Sequence, residues 1–125
     1  MRDIKKAIKK GYHGESLAVA FLEVHGFIVL GRNIRSQYGE VDIIAQKDGI
    51  IVFIEVKTWT VFSIDSVQYS IDKKKQTRII KTAELFLSAH PEFDELTMRF
   101  DVIFIKGKTF THIQNAFTVD NEYQN

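Results

Sequence analysis

The chain has no cysteine, which excludes disulfides, a thiolate zinc site and a cysteine nucleophile, and is compatible with a reducing cytoplasm. It has a single proline, Pro91, and so only one residue that rigidly interrupts a backbone element. Charge of one sign is also lacking: 17 Lys and Arg against 16 Asp and Glu leave a net +1. That sum points neither toward nor away from nucleic acid. No apolar run approaches the length of a membrane span, and no apolar segment of signal-peptide type follows the charged amino terminus. The expectation is a cytoplasmic protein with no membrane partner. No Gly-x-Ser-x-Gly elbow occurs, and Gly11-x-x-Gly14 follows no strand and lacks the ending of a phosphate loop. The histidines, His13, His25, His90 and His112, include no pair at metal-ligand spacing.

What is present is ordinary in amount and uneven in placement. With 125 residues, 45% hydrophobic and 26% charged, residues 1–125 are expected to form one domain large enough to bury a core unaided. Arg2, Lys5, Lys6, Lys9 and Lys10 make a basic lead-in over residues 1–13, and residues 118–125 read as a polar, frayed tail. A helix is expected from about Gly14 to His25, stopped by Gly26, with Ala18, Phe21, Leu22 and His25 inward. Glu15 lies on that same face, as a functional carboxylate or as a charge favoured by the helix amino end. A strand from Phe27 extends toward Arg35. Residues 59–64 read as an aromatic loop. Ser70 or Asp72 suits the cap of a second helix, which carries Ile79, Ile80, Ala83, Phe86 and Leu87 on one face and ends at Pro91. Strands over 99–105 and 110–117 follow. The order helix, three strands, helix, two strands predicts an α/β fold with a mixed sheet of about five strands flanked by helices.

The informative stretch is Gly39 to Lys57. It reads as two strands joined at Asp48-Gly49, a dipeptide favoured in tight hairpin turns. Closing the hairpin with Lys47 opposite Ile50 sets Asp42 against Glu55 and Glu40 against Lys57, all on one face. Val41, Ile43 and Ala45 then oppose Val52, Ile54 and Val56 on the other. Like charges directly opposite are destabilising, by roughly 3 kcal/mol at ~5 Å and an effective dielectric of about 20. A divalent cation would convert that repulsion into binding; neutralisation by Lys57 in a surface ion cluster is the alternative. Lys73, Lys74, Lys75, Arg78 and Lys81 load the start of the second helix with positive charge. They form either a solvated face or a path for phosphates, although lysines there oppose the helix dipole.

Asp on one strand followed by Glu-x-Lys on the next resembles the signature of restriction-endonuclease-like nucleases. The fuller pattern is Gly14-Glu15-x-x-Ala18-x-x-Phe21-Leu22, Gly26-Phe27, Asn33-x-Arg35, Gly39-Glu40-Val41-Asp42-Ile43-Ile44-Ala45 and Val52-Phe53-Ile54-Glu55-Val56-Lys57-Thr58. Lys75-Gln76, Arg99-Phe100-Asp101-Val102 and His112-Ile113-x-x-Ala116-Phe117 continue it. Across nearly the whole chain this resembles the YraN family of small bacterial proteins, regarded as nuclease-like and close to Holliday-junction resolvases.

The resemblance implies a single restriction-endonuclease-like domain and a metal-dependent endonuclease acting on nucleic acid, DNA above all, with branched or structured DNA as a target. Asp42 and Glu55 would ligate Mg²⁺ or Mn²⁺ with the backbone carbonyl of Val56, and Glu15 through water. Lys57 would orient the attacking water or offset transition-state charge, making Asp42, Glu55, Lys57 and Glu15 the catalytic set. Lys75 and Gln76 match a position that contacts the scissile phosphate, with Lys73, Lys74 and Arg78 beside them. Glu40 and Asp101 are matched as supporting residues; Glu40 can pair with Lys57, and Asp101 with a nearby Arg or backbone. Two nicks need two active sites, so a homodimer suits a resolvase-like enzyme. Trp59 stands where the family usually has arginine, and the proline usual before the second helix is absent, which bears on substrate preference. The alternative function is a non-catalytic nucleic-acid-binding or recruiting module on the same scaffold.

Overall fold

The computed structural model describes residues 14–59 and 71–119. The basic lead-in, the aromatic segment beyond Trp59 and the end of the tail lie outside the described residues. In chain order the elements are α1 (residues 14–24), β1 (Ile28–Arg35), β2 (Glu40–Lys47), β3 (Ile50–Trp59), α2 (Lys73–Ala89), a short 3₁₀ turn at Pro91–Phe93, β4 (Thr97–Lys106) and β5 (Thr109–Phe117). This is the α/β order expected, in one open sheet ordered β1-β2-β3-β4-β5. β3 and β4 pair in parallel and every other neighbour is antiparallel. A parallel pair needs a crossover, and α2 is that crossover.

The hairpin closes as its turn dipeptide predicts. Asp48 and Gly49 both have positive φ, 52° and 79°, the conformation that lets a two-residue turn follow the twist of its strands. Lys47 pairs with Ile50 and Ile43 with Ile54. Asp72 caps α2, its side chain accepting the Lys75 N–H at 2.8 Å.

Two apolar layers hold the sheet. On one face Ile51, Phe53, Phe100, Val102 and Phe104 pack beneath Ile79, Ile80 and Ala83 of α2. On the other, Ile43, Ala45, Val52, Ile54, Ile103 and Ile105 pack beneath Ala18 and Leu22 of α1. Neighbouring strand residues point to opposite faces, so Val52 and Phe53 place the two helices on opposite sides. Phe53 is 1% exposed, and emptying such a site costs about 3–5 kcal/mol.

Two expectations need correction. Val41 joins the α2 layer, whereas Ile43 and Ala45 belong to the α1 layer. The alternation breaks at Asp42: Arg32 pairs with Ile43 and Ile34 with Val41, while Asn33, at φ 52°, has no paired partner between them. The hydrophobic pattern alone cannot reveal such an irregularity. His25, expected inward, is exposed; its ring Nδ1 lies 2.8 Å from the Phe21 carbonyl and stays beside its own helix end.

Candidate active site

The break at Asp42 builds the site. The β2–β3 ladder stops at the Ile43–Ile54 pair, and one residue further the Asp42 carboxylate takes over, accepting the Val56 N–H at 2.8 Å. Backbone N–H and C=O of one strand residue point to the same side, so the Val56 carbonyl also faces the Asp42 side of β3. Asp42 and Glu55 are only 7% and 8% exposed and lie near enough for each to shift the other's titration. Two interacting buried carboxyls ionise together only at a cost, which favours one of them keeping its proton. Burial, then the hydrogen bond and charge of Glu55, push Asp42 up to about 8, against the pull of the Val56 N–H. Burial also pushes Glu55 upward, but the Asp42 hydrogen bond together with Lys75 and Lys57 outweighs it and leaves Glu55 below the ordinary carboxylate value.

Two lysines complete the cluster. Lys75 extends from the first turn of α2 to place Nζ 2.8 Å from Glu55 Oε2. Although its burial opposes the charge, the Glu55 contact raises its pKa. Lys57, two residues past Glu55, is pulled down by burial and by Lys75 beside it.

Glu15 arrives from the opposite face. A Cβ at Gly14 would collide with Thr58 Oγ1, so the start of α1 sits directly against the end of β3. That contact brings Glu15 near enough to Asp42 for its charge to raise the Asp42 pKa. Arg32 Nη2 lies 3.8 Å from Glu15 Oε1 and 3.2 Å from Ser16 Oγ.

The donor set fits a hard divalent cation in kind: carboxylate oxygens and a backbone carbonyl. Glu15 Oε1 and Glu55 Oε2 are buried without an aligned hydrogen-bond donor among the described residues. Lys75 meets Glu55 Oε2 as an ion contact. Among the described residues no three His, Cys, Asp or Glu side chains are gathered as one ligand group, so Glu15 stands beside the Asp42–Glu55 pair rather than within it.

Asp42, Glu55, Val56, Lys57 and Lys75 thus come together, with Glu15 at the margin. Lys73, Lys74 and Arg78 are exposed on the same end of α2. Gln76 turns elsewhere: its amide donates to the Ile71 carbonyl at 3.2 Å, and it lines a pocket of about 200 Å³ with Val102, Phe104 and Ile113. Glu40 does not meet Lys57; it pairs with Arg35 at 3.1 Å, its β1 partner, with its side chain 47% exposed. Asp101, 1% exposed, is a structural ion centre. Arg99 holds it through two bonds of 2.8 and 2.9 Å, His112 Nε2 lies 2.7 Å away, and the Asn115 N–H donates at 3.0 Å. Arg32, which stands directly before the Asn33-x-Arg35 motif, is an added cation at the margin of the site.

This is an α/β protein with a carboxylate pair and two lysines at the parted ends of its central hairpin. The uncharacterised protein family UPF0102, which is the YraN family, matches residues 14–105, and the chain belongs to it. A UPF0102 protein of Sulfurihydrogenibium sp. (strain YO3AOP1) is 43% identical over 112 residues, covering 90% of this chain and 96% of its own length. One from Persephonella marina is 41% identical, covering 89% and 95%. One from Caldicellulosiruptor bescii is 47% identical over 100 residues, covering 78% and 84%. Among the described residues no helix is long and apolar enough to cross a membrane.

Proposed function

We propose that this protein is a metal-dependent nuclease hydrolysing phosphodiester bonds in nucleic acid, with DNA, including branched DNA, as the substrate class. The observation that carries this reading is the buried, electrostatically interacting Asp42–Glu55 pair, flanked by Lys57 and Lys75, at the point where β2 and β3 part. A carboxylate pair that only stabilised the fold would not be placed in contact beside two buried apolar layers.

Asp42, Glu55 and the Val56 carbonyl would hold Mg²⁺ or Mn²⁺, with Glu15 engaged through water. When bound, the ion supplies Lewis-acid polarisation of the phosphate and a more acidic water. Lys57 stands two residues from Glu55 on the same face of β3, positioned to orient the attacking water and to offset the added negative charge of the transition state. Lys73, Lys74 and Arg78 offer exposed positive charge for the flanking phosphates. Arg32 donates to Ser16 Oγ at the start of α1 and lies 3.8 Å from Glu15.

The test is cleavage of labelled single-stranded, duplex, flapped and four-way-junction DNA, and of RNA, with Mn²⁺ or Mg²⁺. Glu55→Ala and Lys57→Ala proteins purified identically serve as controls. Cleavage lost in both variants supports the reading and names the substrate. Binding retained by all three proteins without cleavage would move the assignment to a recruiting module.

A further inference from the structure

We propose that Lys75 is the resident counter-cation of Glu55, displaced when a divalent cation binds the Asp42–Glu55 pair and thereby released toward a phosphate. This rests on the nuclease reading and concerns how its metal and substrate sites communicate. The Lys75 ammonium lies 2.8 Å from Glu55 Oε2, within the space a cation bound by that oxygen would need. Two carboxyls and two ammonium groups already meet there, Asp42 and Glu55 with Lys57 and Lys75. A divalent ion added to that set leaves positive charge in excess at contact distance, and one lysine must withdraw.

Lys75 is the one able to go. Its backbone is fixed, because its N–H is held by Asp72 at 2.8 Å, but its side chain is 38% exposed, against 9% for Glu55. The released ammonium would join exposed Lys73, Lys74 and Arg78 at the same end of α2. The exchange also accounts for a lysine in a first helical turn, where the backbone dipole disfavours positive charge. Until metal arrives, Glu55 compensates that charge.

Calorimetric titration of Mn²⁺ into chelator-stripped full-length protein tests this without recourse to cleavage. Lys75→Met is expected to bind Mn²⁺ about tenfold more tightly than wild type, since the ion no longer breaks a pair. Lys75→Arg keeps the charge and is expected to stay within about twofold of wild type. Lys81→Gln, the same charge change further along α2, controls for a general field effect. In the second arm, binding of a labelled four-way junction is measured with and without Ca²⁺. The wild type is expected to tighten with the ion and Lys75→Met to lose most of that gain. Unchanged or weaker Mn²⁺ binding by Lys75→Met, with wild type binding normally, overturns the exchange and leaves the nuclease reading intact. No Mn²⁺ binding by either protein overturns both.

Discussion

The Asp42 carboxylate accepts the Val56 N–H at 2.8 Å just where the β2–β3 ladder ends, so a side chain replaces the backbone partner that β3 would otherwise have. An asparagine can accept the same N–H but removes one of two competing carboxyls. Asp42→Asn is therefore expected to raise the stability of metal-free protein at neutral pH by about 1 kcal/mol. It should also abolish the rise in melting temperature that Mn²⁺ gives the wild type through linkage. Urea unfolding with and without Mn²⁺ measures both. A loss of several kcal/mol in the metal-free variant would assign the pair a structural role.

The same carboxyl sets a pH dependence. Asp42 is pushed up to about 8 in the folded protein but titrates near 3.9 when unfolded. Between those values the folded protein keeps a proton that the unfolded chain has released, so stability falls as pH rises. The contribution is full below about pH 4 and lost through pH 8. Glu55, lowered, acts oppositely: its contribution is present above about 4.3 and fades as pH falls. Metal-free protein is expected to lose on the order of a few kcal/mol from pH 5 to 8, and Asp42→Asn to flatten that slope. Urea midpoints in chelator across this range decide it; parallel slopes for the two proteins would sink the idea.

Asp101 carries the reverse sign. Burial alone would raise its pKa, but the His112 and Arg99 bonds and the Asn115 N–H outweigh burial and lower it. Its stabilisation is present above the unfolded value near 3.9 and is lost as pH falls through the folded one. Removing one partner from a buried ion centre costs about 3–5 kcal/mol, so Asp101→Asn is expected to cost about that much at pH 7 and progressively less as pH falls below the unfolded value near 3.9, including at pH 3. Chemical denaturation at the two pH values checks this, and an equal loss at both would contradict it.

The legible features were those written in local chemistry. Asp48-Gly49 set the hairpin register, Asp72 announced the start of α2, and the spacing of Ile79, Ile80, Ala83, Phe86 and Leu87 identified its buried face. The family motif named Asp42, Glu55, Lys57, Glu15 and Lys75, and the fold gathers all but Glu15 at one end of the hairpin, with Glu15 at the margin. What stayed hidden depended on non-local backbone geometry. The left-handed Asn33 and the interrupted alternation at Asp42 moved Val41 to the other layer. Glu40 found Arg35 because antiparallel β1 lies along the far side of β2, a neighbour no hairpin argument includes. Gln76 follows Lys75 in sequence, yet one helical step of about 100° turns it away from the carboxylates.

Gly14 sits where α1 touches β3, its absent Cβ leaving room for Thr58 Oγ1. Gly14→Ala gains helix propensity of up to about 1 kcal/mol but drives its Cβ into Thr58, an exposed residue, an overpacking that costs typically about 1–3 kcal/mol where the neighbour cannot give way. The net expectation is a small destabilisation and weaker Mn²⁺ binding as Glu15 is pushed away. Thr58→Ala in the same chain removes the clash and should restore both. Thermal melts and Mn²⁺ titration of the single and double variants report it. A stabilised single variant would show that Thr58 rotates aside freely and that the contact does not place Glu15.

Glu15 itself separates a ligand from a helix-end charge. Among the described residues its Oε1 is buried without a hydrogen-bond donor, and Arg32 at 3.8 Å is too distant to provide one. A carboxylate so placed repels the Asp42–Glu55 pair and helps raise Asp42. Glu15→Gln keeps the shape and relieves that repulsion, so metal-free stability is expected to hold or to rise by less than about 1 kcal/mol. Mn²⁺ affinity is expected to fall about tenfold, because a nearby anionic oxygen is lost to the ion or its water. If Glu15 served only the amino end of α1, the order would reverse: stability would drop by up to about 1 kcal/mol and Mn²⁺ affinity would hold. Denaturation and Mn²⁺ titration on one preparation give both numbers, and their opposite movement distinguishes the roles.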